Sequence, residues 1–149
     1  MDPFLHHHPS KIVLVTTLAW VLAQGFKVLN YYLKHRKINF RLFVGTGGMP
    51  SSHSAFVCGL ATSIGYEAGW DAPVFFLALG MALVIMSDAA GVRRAAGQQA
   101  QILNELVDDF YKNKPIPPAK LKELLGHTPT QVFVGAFVGI AVAVVAYSI

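Results

Sequence analysis

Apolar residues fill four stretches of the chain, and polar residues gather between them. The run from Ile12 to Leu33 is long enough to cross a ~30 Å hydrocarbon core as a helix. A second, from Ser54 to about Ala68, is shorter and is interrupted by Gly59 and Gly65. Glu67, Gly69, Trp70, Asp71 and Pro73 then make a turn, with Trp70 suited to the headgroup level. A third span runs from Ala72 to about Ala90, and a fourth from Val132 to Ile149, where Gly135 and Gly139 stand at the spacing of a close helix-packing face. Between the third and fourth spans the period changes. Leu103, Leu106, Val107 and Phe110 recur at helical spacing among Gln101, Asn104, Glu105, Asp108 and Asp109, which predicts an amphipathic helix lying at an interface. Lys114-Pro115-Ile116-Pro117-Pro118 predicts a loop, Ala119 to Leu125 a short helix stopped by Gly126, and Thr128-Pro129-Thr130-Gln131 a capping-box start to the last helix. The expected fold is all-α: a small integral-membrane helical bundle of about four spans plus an interfacial amphipathic helix. Residues 11–149 form one membrane-embedded domain, preceded by a disordered N-terminus over 1–10.

Composition agrees with that class. The chain is 54% hydrophobic and only 13% charged, too apolar for a soluble domain of 149 residues. Its formal net charge of +4 raises the question of nucleic acid. The basic residues, however, flank apolar spans without interleaved aromatics, which excludes nucleic acid and favours membrane lipids with anionic headgroups as partners. Threading four spans puts Lys34, Arg36, Lys37, Arg41, Arg93, Arg94, Lys112, Lys114, Lys120 and Lys122 on one side and Lys11 alone on the other, so the crowded side is predicted to be cytoplasmic. The lone Cys58 allows no internal disulfide. His6, His7 and His8 read as a metal tract, a purification tag or simply part of a floppy terminus, and no cleavable signal peptide is expected.

Several residues are costly enough in lipid to suggest chemistry. In Gly47-Gly48-Met49-Pro50-Ser51-Ser52-His53-Ser54 a glycine-rich loop becomes a helix. Pro50 suits a first helical turn, Ser51 or Ser52 can cap it, and the amides there carry the positive end of the helix dipole, a fit for phosphate. His53 in that turn could hand a proton to a leaving oxygen. Gln24, Lys27, Asn30 or Tyr31, and Lys34 stack as a polar stripe on the first helix, and a lysine as deep as Lys27 costs roughly 2.5 to 3.5 kcal/mol on insertion scales unless it snorkels. Asp88 stands one to two turns before Arg93 and Arg94, whose guanidinium groups suit bidentate phosphate binding although only one can easily point inward. His127 falls between the stop of one helix and the cap of the next.

Taken together, Pro50-Ser51-Ser52-His53, Asp88-Ala89-Ala90-Gly91-Val92-Arg93-Arg94, Leu103-Asn104 and Gly126-His127-Thr128-Pro129 resemble the divergent, small branch of the type 2 phosphatidic acid phosphatase family, related to acid phosphatases and vanadium haloperoxidases. The resemblance spans Gln24 to Gly135. It implies a histidine nucleophile that attacks phosphorus, a second histidine that protonates the leaving group, and basic side chains that hold the equatorial oxygens without a metal. His53 matches the acid, with Ser52 in the place of a glycine. Lys34 and Arg41 meet the spacing of the lysine–arginine element, where Leu42 replaces a proline, but Lys27 looks the more characteristic lysine of the branch. Six residues after Arg93 stands Gln99, where the family pattern calls for the nucleophile. A split of the element by an insertion from about Ala95 to Gly126 would leave phosphate binding to Arg93 or Arg94 and make His127 the nucleophile, with Gln131 where an acid usually follows and Asp88 as an alternative carboxylate.

The resulting expectation is a phosphatase-like domain that hydrolyses a phosphomonoester of a phosphorylated lipid, phosphatidylglycerophosphate-like, at the cytoplasmic face. His53, His127 and Asp88 would be catalytic, and Lys27, Arg41, Ser51, Ser52, Arg93 and Arg94 would bind substrate. No cofactor or metal ligand is expected, magnesium being the one ion the reading would admit, and a homo-oligomer is left open. Three alternatives stand beside it: a polyprenyl diphosphate phosphatase, a non-catalytic scaffold or carrier that Gln99 would favour, and a metal-dependent phosphotransferase built on Asp88, Glu105, Asp108 and Asp109.

Overall fold

A computed structural model describes residues 9–37, 48–111 and 126–149 and, among these, the side chains of all but 9 and 92–94. The histidine tract, Arg41, the proline-rich loop and the short helix expected after it lie outside the described residues. The rest is helical throughout: α1 (Pro9–His35), α2 (Ser52–Ala68), α3 (Pro73–Ala90), α4 (Val92–Tyr111) and α5 (Pro129–Ser148).

Size is distributed inside out relative to a water-soluble bundle. Ala19, Ala23, Ala55 and Ala143 are fully buried, whereas Leu77, Val84, Phe133 and Phe137 stand outward, Phe137 at 72% exposure. Small residues let backbones approach, and large apolar residues face a solvent as apolar as themselves, which is the packing logic of helices in lipid. α1, the α3–α4 run and α5 are each long and apolar enough to cross a membrane. α2 is not. It has 17 residues, ~25 Å at 1.5 Å per residue, and packs against α1, α3 and α5 with Ala55, Cys58, Gly59, Ala61, Ser63 and Gly65 buried. Among the described residues, three of the four expected spans therefore stand out by length, the second being an enclosed helix that needs little lipid-facing surface.

The close contacts of α2 explain its glycines and those of α5. A Cβ on Gly135 would run into the carbonyl oxygen of Ser51, and one on Gly139 into that of Ala55. A Cβ on Gly59 would meet Ala19 at 3.3 Å and the Gly139 carbonyl at 3.4 Å. α5 thus lies backbone to backbone on α2, with Gly59 opposite Gly139.

Two boundaries differ from expectation. Pro50 precedes the cap of α2 instead of sitting in its first turn; Ser51 is the N-cap, extended at φ −71° and ψ 114°. The amphipathic helix begins at Val92, well before its first periodic leucine, and follows α3 after a break at Gly91. It buries Gly97, Ala100 and Asn104 and leaves Ile102, Leu103, Leu106 and Phe110 exposed. α5 opens with the expected capping box, Thr128 and Gln131 each bonding the other's backbone.

The two ends of the bundle differ in chemistry. At one, the Tyr147 hydroxyl donates to Glu67 at 3.0 Å, Lys11 sits 4.3 Å over the Tyr147 ring, and Tyr66 stacks on Tyr147 and meets the edge of Trp70. His53 and His127 lie at the other end.

Candidate active site

Four helices bring the site together, and backbone bonds set its frame. The Ser51 amide donates to the Gln131 carbonyl at 3.0 Å, fixing the start of α2 against the start of α5. The His127 amide donates to the Ala89 carbonyl at 2.9 Å, which ties the entry to α5 to the last turn of α3. From α1, the Asn30 side-chain amide donates to the Met49 carbonyl at 3.1 Å and holds the turn that leads into α2. Gly48 in that turn has a φ of 86°, a left-handed conformation that favours glycine, and it packs beside the aliphatic stem of Lys27.

Lys27 is 4% exposed, and its ammonium donates to the Ser52 hydroxyl at 3.1 Å. A lysine so deeply placed calls for a polar partner, and this partner is the residue that precedes His53 in the first turn of α2. One turn earlier on α1, Gln24 is also buried, with its Oε1 unbonded among the described residues. Lys34, the other candidate lysine, is exposed near the end of α1.

The serines divide their roles. Ser51 is completely buried, and its hydroxyl accepts from the Ser54 amide at 3.3 Å and from the Ser54 hydroxyl at 3.0 Å. Its carbonyl accepts the Ala55 amide at 3.1 Å. These bonds engage the Ser51 side chain and the amides of Ser51, Ser54 and Ala55 within the protein, so the cradle foreseen for phosphate is in good part filled by the chain itself. Ser51 is a capping residue here. Ser52, bonded to Lys27, is the serine adjoining the charge.

His53 is exposed on the first turn of α2, His127 is buried at 4% exposure, and their ring centroids are 6.3 Å apart with the planes inclined at 56°. In-line attack puts about 7 to 8 Å between the attacking nitrogen and the acid, so the two rings can serve one phosphate only with those nitrogens turned away from the line between the centroids. Gln131 selects the tautomer of His127. Its Oε1 accepts the Thr128 amide at 3.1 Å and lies 3.2 Å from His127 Nδ1. An amide oxygen only accepts, so Nδ1 carries the hydrogen in this contact.

Asp88 lies half-buried in the last turn of α3, next to the Ala89 carbonyl that receives His127. Arg93 and Arg94 occupy the first turn of α4, just beyond Asp88 along the backbone. Arg41 is outside the described residues. Glu105, Asp108 and Asp109 are exposed on α4, and no group of three or more His, Cys, Asp and Glu placed to hold a metal occurs among the described residues. Sequence reasoning missed the Ala89 carbonyl and the Ser51–Gln131 bond, which no residue type announces. The Asn30 anchor could have been found in the polar stripe of α1.

A family model described as "Divergent PAP2 family" matches residues 8–142. The chain belongs to the divergent PAP2 family. A relative in this family, the uncharacterized membrane protein YuiD of Bacillus subtilis strain 168, is 42% identical over 144 residues, covering 89% of this chain and 91% of its own length. No solved structure matches. Membership in the divergent PAP2 family, together with three apolar runs of spanning length, makes this a helical membrane protein.

Proposed function

We propose that the protein is a membrane lipid phosphate phosphatase that hydrolyses a phosphomonoester, phosphatidylglycerophosphate-like, at the cytoplasmic face. The observation that carries this reading is the placement of His53 and His127 6.3 Å apart beside the buried Lys27–Ser52 pair. In the proposed reaction His127 Nε2 attacks phosphorus, the P–N bond forms as the ester P–O bond breaks, and His53 gives its proton to the departing alkoxide. Water then attacks the phosphohistidine and returns a proton to His53, the P–N bond breaks, and phosphate leaves. Lys27, with Arg93 or Arg94, neutralises charge on the equatorial oxygens, so that catalysis rests on positioning and electrostatics. Gln131 orients the nucleophile in place of the usual acid. The membrane arrangement that supports the cytoplasmic assignment has four crossings, with α2 as the enclosed one. Lys34, Arg36 and Lys37 then lie at the histidine end and Lys11 at the other.

Single-turnover phosphate release by purified protein tests it. His127→Ala is expected to abolish release and any acid-labile phosphoenzyme. His53→Ala is expected to form phosphoenzyme slowly from a phenolic ester, whose leaving group needs no proton. Normal turnover by His127→Ala would reject the nucleophile. A wild-type protein that binds lipid phosphates and releases none would establish the second reading, a scaffold, which the glutamine at position 99 favours.

A further inference from the structure

His53 also closes one end of an apolar groove. The groove, of about 320 Å³, runs between α1, α2 and α3, with Trp20 on the first, Phe56 and Leu60 on the second, and Met81 and Ile85 on the third. Phe56 and Met81 are 40% and 52% exposed, so the groove opens sideways toward the surrounding lipid and not only at the bundle end. Its volume is at the lower limit of ligand pockets, ~300 to 1,000 Å³, which leaves room for one hydrocarbon chain and not a pair.

Resting on the phosphatase reading, we propose that this groove is a single-chain subsite. It takes one hydrocarbon chain of the phosphomonoester laterally from the membrane and sets the distance from that chain to the phosphate at His53. The occupant follows from continuity: the groove begins at the residue assigned to protonate the leaving oxygen, so it suits a phosphomonoester whose hydrocarbon chain starts within a few atoms of that oxygen, a shorter link than the glycerol phosphodiester of a phosphatidylglycerophosphate-like lipid. From His53 to Leu60 the wall runs ~10 Å at 1.5 Å per residue. A zigzag of about 1.5 Å carbon–carbon bonds fills that length with roughly eight carbons. The groove therefore measures the first part of a chain and leaves the rest in the bilayer.

The test uses the full chain in phosphatidylcholine nanodiscs with straight-chain alkyl phosphates from four to twelve carbons, and phenyl phosphate as a chainless probe. For the wild type, kcat/KM is expected to rise by up to about fourfold per methylene, the equivalent of ~0.8 kcal/mol, and to level near eight carbons. Leu60→Trp, which plugs the inner end, is expected to move the plateau to shorter chains. Ile85→Trp narrows the groove from the opposite wall and gives the same readout should the first variant fail to fold. Partition into the bilayer favours long chains equally for wild type and variants, so the displacement of the plateau isolates the groove. Release of phosphate with the same chain-length profile in all three proteins would overturn the subsite and leave the phosphatase reading standing. No release from any substrate, phenyl phosphate included, would overturn both.

Discussion

A single amide oxygen fixes which nitrogen of the His127 ring carries a hydrogen. Because Gln131 Oε1 also accepts the Thr128 amide, it is the oxygen of the side chain that faces His127, and the contact with Nδ1 is an N–H donation. Gln131→Glu preserves both acceptor contacts and is expected to retain phosphoenzyme formation. Gln131→Leu removes them and is expected to slow it about 10- to 100-fold, the usual penalty for losing a partner that orients a functional histidine. A thermal melt on the same samples separates this from the loss of the helix cap, and unchanged phosphoenzyme kinetics in Gln131→Leu would dismiss the tautomer argument. At this scale the sequence was readable wherever a residue type is expensive or spacing is diagnostic. Lys27 stood out because charge in a span is costly, and Gln131 because it completes a capping-box start and stands where the family pattern places an acid. Ser51 was ambiguous: a serine before a helix reads equally as a cap or a ligand, and only the bonds to Ser54 and Gln131 assign it to the cap.

Helix packing makes glycine position-dependent in this protein. Gly139 lies against the backbone of α2, where a Cβ would strike the Ala55 carbonyl and approach the Gly59 nitrogen to 2.8 Å, whereas a Cβ on Gly80 would meet nothing within 4 Å. Gly139→Ala is therefore expected to destabilise by about 1 to 3 kcal/mol, as overpacked sites do. Gly80→Ala should stabilise by up to about 1 kcal/mol through helix propensity. Unfolding in detergent checks the opposite signs; equal effects would mean that α5 does not seat on α2 through this face. The long apolar runs made α1, α3 and α5 legible, since lipid demands uninterrupted hydrophobicity. α2 was foreseen with nearly its observed limits and as short for a full crossing, because an enclosed helix of alanine, serine and glycine carries little of the apolar signal that marks a span. The start of α4 was hidden because Val92 to Gln99 has small and polar residues without a helical period.

At the scale of the whole molecule, the polarity of the bundle is the testable property. With Cys58 replaced by alanine, single cysteines at Lys37 and Asp71 should label from opposite sides of the membrane, Lys37 from the cytoplasm. Labelling of both from one side would reject four crossings without touching the histidine geometry. The expected side rests on the unequal distribution of lysine and arginine alone, since no helix carries its orientation in its shape. The seating of α5 on α2 has one more consequence, for the timing of biosynthesis. His53, Lys27 and Asp88 all emerge from the ribosome before His127, and the amide of Ser51 waits for a carbonyl eighty positions later in translation. A nascent chain that has inserted α1 to α4 still lacks both its proposed nucleophile and the backbone partner that steadies the opposing turn. It passes through the insertion machinery, surrounded by lipids, without a completed site until α5 has slid into place.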